Sequence, residues 1–310
     1  MNFPNKQIPT RSNSEARTGA SSGTAARILT AAVLIPVIVA VVWWGPTALV
    51  AAHTGVVALL ALREFFILGA RLNLHAYRAW TSVCALGIFF QQWSASAAQT
   101  YQVSRNLRLT QVPRAPEFPL ELVLFVFLLG GAAIIFASRR PLADALGDIG
   151  ISSAGLVFIA LPLSAVVRID AAGALGPKLL LFTLVLVWAG DTLAYFVGRS
   201  FGRVPMAPQL SPKKTWEGAA ANLLGSAIVA VALFRWLNID AFQAVLIACL
   251  ANAASQAGDL LKSAYKRGAG VKDSGSLLPG HGGVLDRIDA LILAAPVVWY
   301  YFRFVVAARF

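Results

Sequence analysis

Long apolar runs separated by short polar segments dominate the chain. Nine runs of about 20 residues are long enough for a helix to cross a bilayer. They cover residues 27–44, 46–66, 79–97, 119–137, 150–168, 177–198, 218–237, 240–257 and 284–306. None shows the apolar and polar alternation that is typical of a barrel strand. The pattern therefore predicts an all-α polytopic integral membrane protein with about nine transmembrane helices.

Three segments are less apolar than the rest of the nine-helix pattern. The third run is the weakest, because Gln91 and Gln92 interrupt it. The polar stretch 98–118 that follows contains prolines, and we interpret it as a loop. Residues 1–26 are rich in Ser, Thr, Ala and Arg and have no apolar period, which predicts a disordered basic tail on the cytoplasmic side.

Composition supports a membrane protein, and the basic residues indicate its orientation. Of all residues, 58% are hydrophobic and 13% are charged, against roughly 25% charged in soluble proteins. The net charge is +12, but the basic residues are spread between apolar runs, which favours contact with anionic lipid over nucleic acid. With the N-terminus inside, 18 of the 26 Lys and Arg residues fall in cytoplasmic segments and 8 outside. The positive-inside rule therefore predicts a cytoplasmic N-terminus.

Acidic residues concentrate towards the C-terminal end. Half of the 14 Asp and Glu residues follow residue 190, and most of these lie in three polar motifs. Charged groups at a membrane are costly and usually have a partner or a function. We therefore expect a transmembrane scaffold over residues 27–175 and a catalytic transmembrane region over 176–310.

The first motif, residues 188–202, places an acid inside an otherwise apolar helix. Asp191 lies near one helical face with Tyr195, Gly198 and Arg199. It is either a metal or substrate contact near the mouth of the bundle or one half of an ion pair with Arg199. The motif alone does not decide between the two.

The second motif, residues 211–218, indicates an anion site. Ser211 is a plausible helix N-cap, followed by Pro212 in the first turn. Lys213, Lys214 and Thr215 would then cluster at a helix N-terminus, where free N–H groups and the helix dipole favour phosphate. The alternative is a basic anchor beside the membrane.

The third motif, residues 258–289, holds four acids, five basic residues and one of three histidines. Asp259, Lys262, Ser263 and Lys266 are spaced to share one helical face. Asp259 and a second acid, Asp286, could share a Mg²⁺ ion, which takes one or two carboxylates plus substrate phosphates. This arrangement favours phosphoryl or nucleotidyl transfer, while the alternative is a solvated loop with salt bridges.

Together the motifs resemble the phosphatidate cytidylyltransferases, also called CDP-diacylglycerol synthases. The longest matching stretch runs over residues 263–289 and ends in Pro279-Gly-His281-Gly-Gly-Val-Leu-Asp286-Arg287-Ile-Asp289. The stretches Asp191-Thr-Leu-Ala-Tyr195 and 211–218 are also similar to that family. The resemblance covers roughly 188–290, and over 1–180 only the hydropathy pattern supports it.

The resemblance implies a reaction and a set of partners. A phosphate oxygen of phosphatidate attacks the α-phosphorus of CTP, pyrophosphate leaves, and CDP-diacylglycerol stays in the bilayer. It also implies Mg²⁺, leaves a second, monovalent cation open, and implies a homodimer in a bacterial inner membrane with its site facing the cytoplasm. Two alternatives remain, a CTP-dependent lipid-alcohol kinase and an anion transporter, although no internal repeat supports a transporter.

The resemblance also assigns roles by motif. The catalytic residues would be Asp259, Asp286, Lys266 and His281, with Asp259 and Asp286 as metal ligands. The substrate-binding residues would be Asp191, Ser211, Lys213, Lys214, Thr215, Ser263, Arg267, Lys272, Asp273, Arg287 and Asp289.

Overall fold

The computed structural model describes residues 30–106, 116–275, 277 and 282–306, and for 98–106 it describes the backbone only. The helices are α1 (Thr30–Trp44), α2 (Thr47–Ala70), α3 (Arg78–Asn106), α4 (Leu120–Ala137), α5 (Leu142–Gly155), α6 (Leu161–Leu163), α7 (Ala165–Asp170), α8 (Gly176–Phe201), α9 (Trp216–Leu237), α10 (Ala241–Gly268) and α11 (Leu285–Tyr301). Short π-helical segments cover Leu156–Ala160 and Phe302–Val306, and a 3₁₀ turn covers Gly173–Leu175. The tail predicted over 1–26 lies outside the described residues.

Seven helical segments in the described part of the chain are long and apolar enough to cross a membrane. They are α2, α4, Leu142–Asp170, Gly173–Phe201, α9, α10 and Leu285–Val306. This confirms the polytopic all-α membrane class. The predicted number of nine is not confirmed, because α1 is shorter over its described residues and α3 is too polar to join the seven.

The weak third run is one continuous helix that is longer than expected. Helix α3 continues to Asn106, so the interpretation of 98–118 as a loop is wrong at its start. Gln91 and Gln92 do not interrupt the helix, and both are buried. Gln91 Nε2 donates to the carbonyl oxygen of Phe118 at 3.1 Å. A buried glutamine that has a hydrogen-bond partner does not end a helix, because the helix propensity of glutamine is good.

A short antiparallel hairpin connects α8 to α9. Strand β1 (Pro205–Ala207) pairs with strand β2 (Ser211–Thr215). The prediction that Ser211 caps a helix is wrong, because Ser211 lies in β2 and the helix begins at Trp216. A residue before proline is biased towards extended backbone. Thr215 is the cap instead, since its hydroxyl accepts from the Gly218 N–H at 3.2 Å.

Two apolar clusters form the core, and α11 contributes to both. The first cluster is built mainly from α2, α3 and the π-helical segment after α5, and it includes Leu285 and Ile292 of α11. The second is built mainly from α7, α8 and α10, and it includes Ala290 and Ala294 of α11. Helix α11 therefore packs against helices from both ends of the chain.

Close approach of α10 to α11 depends on a glycine. A Cβ atom at Gly258 of α10 would lie 2.6 Å from the carbonyl oxygen of Asp289 on α11. Small residues at such crossings let helix backbones approach closely inside a membrane. The approach brings the acids of α11 within reach of the charged face of α10.

Substituting Gly258 by valine is expected to lower the stability of the protein by roughly 1–3 kcal/mol, because the branched side chain would overlap the α11 backbone. Thermal unfolding of the detergent-solubilised protein, followed by tryptophan fluorescence, measures the loss. Gly150→Ala on α5 is the control, since a Cβ there meets nothing within 4 Å. An equal fall in melting temperature for both variants would contradict the packing argument.

Candidate functional site

Four helices and the hairpin line a cavity of about 380 Å³. Its walls come from α8, β2, α9, α10 and α11. The charged and hydroxyl-bearing side chains that line it include Asp191, Lys213, Lys214, Thr215, Ser255, Asp259, Lys262, Asp286 and Asp289. The three motifs recognised separately in the sequence therefore meet in space.

The ammonium group of Lys262 lies at the centre of the charged side chains. Its Nζ is 3.1 Å from Asp259 Oδ1 and 3.4 Å from Asp286 Oδ1, and it pairs with Asp289. The Lys262 side chain is only 6% exposed, and a buried ammonium is stable only when it is paired. The predicted site residues did not include Lys262, although its i+3 spacing from Asp259 was the signal that could have placed it there.

Two further lysines complete the pairing of the acids. Lys214 of β2 pairs with Asp259. Lys266 Nζ lies 2.6 Å from Asp286 Oδ1. Asp259 and Asp286, the two predicted metal ligands, each contact two lysines in this structure. Positive and negative groups are therefore closely matched in the cavity wall and directly behind it.

Asp191 faces the same cavity from α8. Asn222 of α9 donates its Nδ2 hydrogen to Asp191 Oδ1 at 3.1 Å. Arg199 instead donates to the Tyr195 hydroxyl at 2.8 Å. Within the described residues, the ion pair of Asp191 with Arg199 that the sequence left open is not formed. The carboxylate is held by an amide and remains open to the cavity.

A buried amide network holds Asn222 in place. Asn252 of α10 donates to Asn222 Oδ1 and, at 2.7 Å, to Ser226 Oγ. Gln256 donates to Asn252 Oδ1 at 2.9 Å. Polar side chains that bond across helices help membrane bundles to associate. In the sequence these amide residues lie inside apolar runs. A polar side chain within an apolar run was the signal that could have identified them.

Asp286 organises the loop that precedes α11. Its Oδ2 atom accepts from the backbone N–H of Ser274 at 2.9 Å, from the Ser274 hydroxyl at 3.0 Å, and from the Gly283 N–H at 3.3 Å. Its Oδ1 atom points towards the lysines. Asp286 therefore contacts the loop through one oxygen and the charged cavity through the other.

Glu64 of α2 reaches the same loop from the opposite end of the chain. Its carboxylate accepts from the N–H groups of Val284 and Leu285, each at 2.9 Å. The Ser274 hydroxyl, whose one hydrogen is shared between Glu64 and Asp286, lies 2.9 Å from Glu64 Oε2. Glu64 was not among the predicted site residues. A lone acid inside an apolar run was the available signal, but nothing local indicates its partners.

Other predicted site residues lie beside the cavity rather than in its wall. Arg267 Nε donates to the Leu210 carbonyl at 3.2 Å and so holds the hairpin turn. Asp273 lines a second cavity of about 530 Å³ together with Arg63 and Arg71. The remaining predicted residues that do not line the first cavity are Ser211, Ser263, Lys266, Lys272 and Arg287. His281 falls outside the described residues.

The arrangement of the acids limits how a metal could bind. Within the described residues, no group of three or more His, Cys, Asp or Glu side chains is arranged to hold a metal. Mg²⁺ usually takes one or two carboxylates, with waters and substrate phosphates as its other ligands. Asp259 and Asp286 each direct one oxygen at the Lys262 ammonium group. These two oxygens therefore create a position at which a positive charge is favoured. The donor set fits a cation that is shared with a phosphate.

Substituting Lys262 by methionine is expected to destabilise the protein by about 3–5 kcal/mol, because Asp289 would be left buried without its cation. Denaturant unfolding in detergent measures the change. Lys213→Met is the matched control, since Lys213 lines the same cavity but is exposed, and its loss should stay within about 0.5 kcal/mol. A K262M protein as stable as the wild type would show that the charged cluster does not form.

Comparison with known proteins extends the resemblance to most of the chain. A protein of Haemophilus influenzae named phosphatidate cytidylyltransferase is 44% identical over 138 residues, which are 42% of this chain and 47% of that protein. A protein of the same name from Brucella abortus is 39% identical over 179 residues, which are 56% of this chain and 63% of that protein. The chain thus spans about half to two thirds of the length of these relatives.

A third relative and a family model also match the chain. The Bacillus subtilis protein named phosphatidate cytidylyltransferase is 32% identical over 183 residues, which are 58% of this chain and 67% of that protein. The family model described as "Cytidylyltransferase family" matches residues 25–305, which include every described residue of the cavity wall. On that match, the chain belongs to the cytidylyltransferase family.

Proposed function

We propose that the protein transfers the cytidylyl group of CTP to phosphatidate, which gives CDP-diacylglycerol and pyrophosphate. The observation that carries the proposal is the meeting of the three motifs in one cavity, where lysines and carboxylates face each other. The names of the relatives support the same two substrates. The cavity belongs to a bundle of apolar helices, which suits a lipid that stays in the bilayer.

The reaction is a displacement between two anions. A P–O bond forms between an oxygen of the phosphatidate phosphate and the α-phosphorus of CTP, while the bond from that phosphorus to the bridging oxygen breaks. The electron pair leaves with pyrophosphate. No protein nucleophile is needed, because the attacking phosphate is already ionised near neutral pH. The protein has to position the groups and offset their repulsion.

The lysines of the cavity supply the positive charge. Lys213 and Lys214 face it from β2, and Lys262 faces it from α10. Ammonium groups fixed where negative charge develops lower the barrier, because they need no reorganisation during the reaction. Asp259 and Asp286 hold Lys262 in place before the substrates bind.

We assign Mg²⁺ to Asp259 and Asp286, on the basis of their convergence. When bound, the ion would offset charge on the phosphate oxygens. Lys262 also lies between Asp259 and Asp286, so its ammonium group supplies positive charge to the same part of the cavity. A second, monovalent cation and an acid–base role for His281 stay predictions from the resemblance.

We also propose that the site opens to the cytoplasm of a bacterial inner membrane. The excess of Lys and Arg in the segments assigned to the inside supports this orientation, and the relatives come from bacteria. A homodimer rests on the family resemblance alone, and light scattering of the detergent complex would measure it.

Purified protein incubated with phosphatidate, Mg²⁺ and CTP labelled at the α-phosphorus is expected to release pyrophosphate and to form a labelled lipid, and a chelator should stop both. Asp286→Ala should lower kcat about 100-fold or more, because it removes charge and positioning from the cavity. Asp144→Ala, an exposed acid on α5, is the control and should keep full activity.

The position of the label separates this reaction from its alternatives. Label from the γ-phosphorus in the lipid, with release of CDP, would show a CTP-dependent kinase instead. Anion flux through liposomes without any CTP turnover would show a transporter. Full activity of the D286A protein would refute the assignment of the site.

Orientation can be tested with Lys213 in β2, just before α9, and Arg235 near the end of α9, whose 22 residues span about 33 Å. In a variant with Cys84→Ala and Cys249→Ala, we expect a membrane-impermeant maleimide to label Arg235→Cys in intact spheroplasts. Lys213→Cys should be labelled only after permeabilisation, because Lys213 lies at the cavity. The reverse pattern would place the cavity on the outer face.

A further inference from the structure

We propose that Glu64 is a positioning residue for Asp286, so that α2 completes the site from the half of the chain predicted to be scaffold. The inference rests on the proposed function and adds a residue that the proposed mechanism does not use. Glu64 is 5% exposed. An acid so deeply buried requires partners, and its partners are the loop and the helix end that carry Asp286.

Glu64 caps α11 from a distant part of the sequence. Val284, at the N-cap position of α11, makes no side-chain cap hydrogen bond of its own. The free N–H groups at a helix start need acceptors and favour negative charge. Glu64 Oε1 accepts from Val284 N and Oε2 accepts from Leu285 N, each at 2.9 Å. Asp286 is the next residue, so the same contacts fix its backbone.

Ser274 links the two carboxylates directly. Its Oγ atom lies 2.9 Å from Glu64 Oε2 and 3.0 Å from Asp286 Oδ2. A hydroxyl has one hydrogen to donate, so it serves one carboxylate at a time, while its backbone N–H donates to Asp286 Oδ2 at 2.9 Å. Asp286 Oδ2 is thereby kept on the loop, and Oδ1 stays directed at the lysines of the cavity.

The loop also surrounds the Glu64 carboxylate closely. A Cβ atom at Gly275 would lie 2.6 Å from Glu64 Oε1, and one at Gly283 would lie 2.7 Å from Glu64 Cδ. Two stretches of loop backbone therefore approach the carboxylate to distances that only glycine allows. The Glu64 carboxylate therefore lies against described loop backbone on two sides, at Gly275 and Gly283, and it also lines the second cavity.

A buried carboxylate elsewhere offers a matched control. Asp148 of α5 is 2% exposed. It accepts from the His75 N–H at 2.7 Å and from Arg140 at 2.8 Å. Like Glu64, it holds a loop to a helix through a backbone N–H, but it does not line the cavity. Asp148→Asn therefore reports the cost of losing such a charge without any effect on Asp286.

The main experiment compares Glu64→Gln, Glu64→Ala and Asp148→Asn at a temperature well below the unfolding of each variant. We expect all three to lower the melting temperature. E64Q should lower kcat about 10–100-fold, as for a residue that supports a ligand-binding group, with a smaller change in the KM for CTP. E64A should lose more, because glutamine keeps one acceptor oxygen, while D148N should stay within about twofold of the wild type.

Two further measurements test the proposed link. Ser274→Ala combined with E64Q should cost less than the product of the two single effects, because both act through Asp286, whereas independent effects would multiply. Amide hydrogen exchange at Val284 and Leu285 without substrate should rise about tenfold or more in E64Q and stay unchanged in D148N.

The outcomes separate this inference from the proposed function. Wild-type kcat in folded E64Q protein, or an equal kcat loss in D148N, would overturn the positioning role. Unchanged amide exchange in E64Q would overturn the cap itself, whatever the reaction. A wild-type protein that forms no CDP-lipid, while E64Q raises amide exchange, would refute the proposed function and leave the anchoring of Asp286 supported.

Discussion

The pairing of Lys262 with three carboxylates is the interaction on which the C-terminal helices depend. An ammonium group buried among apolar helices is costly unless acids surround it. Two of the acids, Asp286 and Asp289, lie on α11, so the pairing fixes how α10 and α11 lie along each other. Gly258 makes that register possible, because a larger residue would hold the helices apart.

Under the proposed function, the same pairing would prepare the cavity for a polyphosphate and its cation. Isolated charges would have to be stripped of water before they met a ligand, whereas Lys262, Lys266 and Asp286 are already largely buried and paired with each other. A phosphate entering the cavity can take over contacts of the lysines, while a cation takes over contacts of the carboxylates. Binding then exchanges one set of ion pairs for another, which limits the cost of burying charge.

Local sequence predicted the features that depend on local spacing. Asp259 and Lys262 share a helical face because three residues nearly complete a turn, and the apolar runs gave the helical membrane class. Features that depend on distant partners were missed or wrong. Ser211 lies in β2 because it pairs with β1. The partners of Glu64 lie in a loop 210 residues away, so they are visible only in the folded structure.

The position of α11 at the end of the described chain has a consequence for how the protein is made. During synthesis α10 enters the membrane before α11 exists. In that interval Lys262 and Lys266 have Asp259 as the only acid of the buried cluster on their own helix, and both acids of α11 are missing. A chain cut short before α11 therefore carries excess positive charge beside the bilayer core. That excess is removed only when α11 arrives and its two acids meet Lys262 and Lys266.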